Sequence, residues 1–173
     1  MRLRGLMGAV LVCTIAVATS AFAANTYVGV KKCATCHKVA AFGGLAYTVW
    51  EKSGHAKAFE TLKSKEADEI AKKKGLATAA DASPECLKCH VTSVKEEGVT
   101  CEGCHGPASA YLNVHNKKTP DSKDKAIAAG LVIGDSVKKV CVTCHNAESP
   151  THKEFKFDVM WAKIKHQGPE KKQ

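Results

Sequence analysis

Gly98-Val99-Thr100-Cys101-Glu102-Gly103-Cys104-His105-Gly106-Pro107 contains a five-residue unit, Cys-x-x-Cys-His, that recurs along the chain. The copies are Cys33 to His37, Cys86 to His90, Cys101 to His105 and Cys141 to His145, and they are the nearest thing to an internal repeat. Two thiols three positions apart lie on one turn of a helix, with a histidine immediately after. This is the attachment pattern of a c-type haem. The thiol pairs Cys33/Cys36, Cys86/Cys89, Cys101/Cys104 and Cys141/Cys144 add to the vinyl groups. His37, His90, His105 and His145 then come under the irons as proximal ligands.

Three other uses of paired cysteines fit less well. A zinc ribbon uses Cys-x-x-Cys units but needs no histidine after each second cysteine. A thioredoxin-like redox pair expects one motif in a βαβ setting, and structural disulfides would not repeat a five-residue pattern. The sequence therefore implies four covalently attached haems c.

That reading accounts for the composition. In 173 residues there are only five Phe, three Tyr and two Trp beside 26 Lys and Arg, so a side-chain core alone would be thin. Haems would fill the interior. No alternating strand pattern is convincing, and no linker separates two units. The expected fold is a mainly α domain over residues 24–173, with short helices and irregular chain wrapped around the haems.

Residues 1–23 read as an export signal. Arg2 and Arg4 precede an apolar run from Leu6 to about Val17, and Ala21-Phe22-Ala23 offers small residues for cleavage before Ala24. The run is short for a retained membrane anchor, and Val12 before Cys13 is too bulky for a lipidation site. A periplasmic or extracellular protein without a stable membrane anchor is expected. Haem attachment outside the cytoplasm agrees with export.

Eight histidines divide into the four of the motifs and His55, His115, His152 and His166. Four irons need four distal ligands. Of the methionines, Met1 and Met7 leave with the signal and only Met160 remains, so at least three irons cannot be His/Met ligated. Mostly bis-histidine, low-potential haems follow.

Apolar spacing puts three spare histidines on helical stripes. His55, Ala58, Phe59 and Leu62 form one, within a helix expected from Gly43 to about Leu62. Ala108, Tyr111, Leu112 and His115 form another, with Pro107 in its first turn. Phe155, Val159, Ala162 and His166 form the third, ended by Gly168-Pro169. His152 sits in Ser149-Pro150-Thr151-His152, a turn or extended segment, and is either the fourth distal ligand or a solvent-facing loop residue. Further helices are expected at Ser64 to Lys74, Ser122 to Ala129 and Asp135 to Val140, with a loop from Ala79 to Glu85.

These residues resemble the tetrahaem cytochrome c-554 family, electron acceptors of hydroxylamine oxidoreductase, and related small multihaem cytochromes. The likeness is carried by Lys31-Lys32-Cys33-Ala34-Thr35-Cys36-His37-Lys38, His55-Ala56-Lys57-Ala58, the quoted stretch from Gly98 to Pro107, and Phe155-Lys156-Phe157-Asp158. The resemblance implies that His55 ligates the third haem, His115 the first and His166 the fourth, with the second open on its distal side. His152 has no counterpart there. The chain is shorter than the family between its third and fourth motifs and at its end.

Loss of Arg2 and Arg4 takes the formal charge from +9 to +7. Ionised propionates bring the holoprotein to about +3 oxidised and about −1 reduced, which removes the case for nucleic-acid binding. The lysines instead suit propionates and redox partner proteins with acidic docking surfaces. Three functions remain: an electron carrier, a haem enzyme reducing a small nitrogen compound at an open second haem, or a self-associating subunit of a haem-wire filament, in which His152 closes a neighbour's iron.

Overall fold

The computed structural model describes residues 24–117 and 119–166; the expected export signal with its cleavage site and the expected Gly168-Pro169 stop lie outside them. Among the described residues there are helices and irregular chain but no strand, as the sequence implies. Helices α1 (Val30–His37), α2 (Ala40–Gly43), α3 (Ala46–Glu51), α4 (Ala58–Thr61) and α5 (Lys65–Lys73) make the first half. Then come α6 (Pro84–His90), α7 (Cys101–His105), α8 (Leu112–His115), α9 (Ser122–Ala128), α10 (Ser136–Cys144) and α11 (Phe157–Ile164).

Local chemistry sets several of these ends. Ser64 Oγ accepts the Ala67 N–H at 3.1 Å, capping α5, while Glu66 and Asp68 occupy its first turn and Lys72 and Lys73 its last. Pro84 opens α6, where its missing N–H costs nothing. The expected loop from Ala79 thus ends at Ser83.

The continuous helix expected from Gly43 to Leu62 is broken. Gly44, with φ 65°, ends α2, and residues 52–57 turn between α3 and α4, so His55 sits in a turn. The reason is tertiary. Trp50 Nε1 donates to the Val99 carbonyl at 2.7 Å, and the His55 carbonyl accepts the Val99 N–H at 2.9 Å. Gly98 makes that approach possible: its φ is 64°, and a Cβ would lie 2.6 Å from the His55 carbonyl oxygen.

Two other expectations are also corrected. Pro107 does not begin a helix; residues 108–111 form turns, and only Leu112–His115 is helical. Helix α11 ends at Ile164, so Phe155 and His166 flank it rather than share its stripe. The fourth motif is part of α10 itself, whose helix runs through Cys144.

Two small apolar clusters hold this together. Phe59, Leu62, Ala71 and Ala80 pack beside Cys86 and Leu87 of α6 and Val91 just after it. Ala108, Tyr111 and Ala126 pack against Val28, Leu112 and Leu131. Several of these buried residues are alanines, so each cluster removes little area from water. The interior is thin, as the composition implies.

Candidate functional site

Every motif falls on a helix: α1 carries Cys33, Cys36 and His37, α6 carries Cys86, Cys89 and His90, and α7 carries Cys101, Cys104 and His105. Helix α10 carries Cys141 and Cys144, with His145 as its C-cap. The eight thiols are all free and none lies fully buried, so each is open to a prosthetic group.

The helices meet through their thiols. Cys33 lies beside Cys101, which together with burial pushes the Cys101 thiol up. Burial first, then Cys141 and Cys144, raises the Cys104 thiol to about 11. Burial and then Cys144 raise Cys89, also to about 11. Thiols from different motifs are thus neighbours in the spatial order first, third, fourth, second.

The spare histidines complete the geometry. The ring centres of His37 and His115 are 5.9 Å apart and nearly parallel, at 16°. His55 and His145 are 6.0 Å apart, and His105 and His166 5.8 Å apart, both edge-on. Metal–imidazole bonds of about 2.0 Å would put two rings on opposite sides of an iron with centres roughly 6 Å apart. Each pair joins one motif histidine to one from a distant segment. Among the described residues no three His, Cys, Asp or Glu side chains converge on one point. Two axial histidines are all that a haem iron asks of the protein.

Protonation also suits ligation. Burial, followed by the partner ring, lowers the affinity of His55 and His115 for a proton, and burial alone lowers that of His145. Burial outweighs the hydrogen bond to Val132 at His105. Backbone carbonyls take up Nδ1: Val132 at 2.8 Å from His105, Ala58 at 2.7 Å from His90 and Ile164 at 3.0 Å from His166. When Nδ1–H donates in this way, the free lone pair is on Nε2, where a metal binds.

The pairing differs from the one the resemblance implies at two sites. His55 faces the fourth motif's His145 and His166 faces the third motif's His105, an exchange of the two assignments. His115 faces the first motif as implied. His152 is exposed in the turn after Ser149, and no ring pair joins it to His90. Met160 is 40% exposed.

Sequence reasoning passed over Glu102. Although it sits between two motif cysteines, it is only 2% exposed and accepts several backbone N–H bonds. A carboxylate in a motif's variable position carries no signal that it is buried.

Residues 32–106 match the family described as cytochrome c554 and c-prime. Over these residues the chain is similar to the cytochrome c-554 family. The match takes in the first three motifs and His55; the fourth motif, His115 and His166 lie beyond it. Cytochrome c-554 of Nitrosomonas europaea is 33% identical over 128 residues, which are 65% of this chain and 52% of that protein. The chain thus spans about half the length of that curated relative. No solved structure matches it significantly. The cofactor that this likeness implies is covalent haem c, and the thiol pairs and paired imidazoles fit it.

Proposed function

We propose that the chain is an exported, periplasmic tetrahaem cytochrome that carries electrons at low potential between respiratory redox partners. The observation that supports this most is the set of three histidine pairs, each linking a motif to a distant segment at a bis-imidazole spacing. Haem c supplies a one-electron iron couple when bound. The cysteines would tether it, and the pairs His37/His115, His105/His166 and His145/His55 would hold the iron in both oxidation states. Bis-histidine ligation keeps the potential low. Adjacent thiols in the order first, third, fourth, second lay out a continuous path for outer-sphere transfer. Exposed Lys31, Lys32 and Lys38 beside the first motif suit an acidic partner surface.

A second reading has one observation in its favour. No histidine ring among the described residues pairs with that of His90, and an iron there would keep a distal position for a small nitrogen compound. Acid–base groups would also be needed.

Intact mass and a low-temperature electron paramagnetic resonance spectrum test the proposal together. The mature oxidised protein is expected to carry four haem increments and to show three low-spin irons and one high-spin iron. Fewer haems, stoichiometric zinc or two high-spin irons would overturn it. Rapid steady-state reduction of nitrite, hydroxylamine or nitric oxide, faster than electron exchange with redox dyes, would favour the enzyme.

A further inference from the structure

The segment preceding α1 is threaded along the third motif by hydrogen bonds. Thr26 N–H donates to Ser109 Oγ at 2.8 Å, and Ser109 N–H returns a bond to the Thr26 carbonyl at 3.2 Å. At the centre lies Glu102. Val28 N–H donates to its Oε1 at 2.9 Å and its Oε2 at 3.1 Å, Gly29 N–H to Oε2 at 2.9 Å, and Ala108 N–H to Oε1 at 2.8 Å. Glu97 Oε2 adds a bond from Val30 N–H at 3.1 Å, the first residue of α1. Oε1 therefore accepts from two segments, the run into α1 and the turn after α7, while Oε2 accepts from the run into α1 alone.

A buried carboxylate is costly unless hydrogen-bonded, and here it is satisfied by the backbone N–H groups of Val28, Gly29 and Ala108. No lysine or arginine is among the groups that bond Glu102, and the segments it joins carry Cys33 and Cys101. A fixed negative charge close to an iron favours the ferric form and lowers its potential.

We propose that Glu102 is a positioning residue that locks the first attachment site against the third and lowers the potential of the haems held there. This rests on the haem reading above. Glu102→Gln replaces one oxygen with an NH2 group, which then faces an N–H donor at Gly29 or Ala108. The lock loosens and the charge is removed with almost no change of volume.

The test uses the mature holoprotein. Intact mass comes first: if the wild type lacks four haem increments, the haem reading fails and not this one. With four haems on E102Q, a spectroscopic redox titration is expected to show one or two potentials raised and the others unchanged. Hydrogen exchange should be faster at Gly29 or Ala108. Wild-type potentials and exchange, or an equal rise at all four haems, overturn the proposal. If E102Q does not mature, Glu102→Asp keeps the charge but falls a methylene short. Faster exchange at Val28, Gly29 and Ala108 then supports the lock, and wild-type exchange overturns it.

Discussion

His55 shows how a residue's role depends on contacts its own neighbours do not announce. Its carbonyl accepts the Val99 N–H, Gly98 folds closely over it, and its ring faces His145. Its distal role should therefore concern the fourth site. His55→Ala is expected to convert one low-spin iron to high spin in the wild-type background. In a Cys141→Ser, Cys144→Ser background lacking the fourth haem, the same change should add no high-spin signal. A new high-spin iron there would assign His55 elsewhere. Thr100 gives a second prediction at this scale. Its Oγ1 is buried without a partner, and its backbone is extended, a conformation valine prefers. Thr100→Val should raise stability by about 1 kcal/mol, since it removes a desolvated hydroxyl at almost constant shape. A loss of stability in denaturant titration would mean that the hydroxyl has a partner in the holoprotein.

At the scale of elements, α5 was the most legible helix, because its ends are chemically marked by Ser64, by acids then lysines, and by Gly75. Ser64→Ala should cost about 1 kcal/mol, read as a lower denaturation midpoint with unchanged spectra. The motif helices were legible for a similar reason, since Cys-x-x-Cys-His prescribes its own turn. The stripe around His55 predicts one helix where two form, because periodicity records which residues are apolar and not the bonds that tie Trp50 and His55 to Val99. Spacing marks His115 and His166, but the stripes expected for them outrun the helices that form. What spacing could not carry was partnership. Which distal histidine meets which motif depends on how α7 and α10 pack, and that is decided by thiols and turns separated by dozens of residues.

The whole molecule combines these limits into one prediction about its stability. Its longest described helices, α5 and α10, have nine residues each, and several have only four. Isolated helices shorter than about 12–15 residues are marginal in water, so these need tertiary support. The two apolar clusters offer little, being built around Phe59, Leu62, Tyr111 and small alanines. Besides a few hydrogen bonds such as those of Glu102 and Trp50, distant segments meet at the histidine pairs His37 to His115, His55 to His145 and His105 to His166. Without a group between the rings, those pairs contribute almost nothing; with iron, each becomes a cross-link whose binding energy is folding energy. Chain made in a compartment without haem attachment should therefore be largely unfolded, with weak helical circular dichroism and no cooperative melting transition. Matured protein should melt cooperatively and retain its helix content well above the temperature at which the unattached chain has none. A cooperative transition with holoprotein-like helicity in the unattached chain would show that the side-chain clusters suffice, and the haems would then be guests of the fold and not its framework.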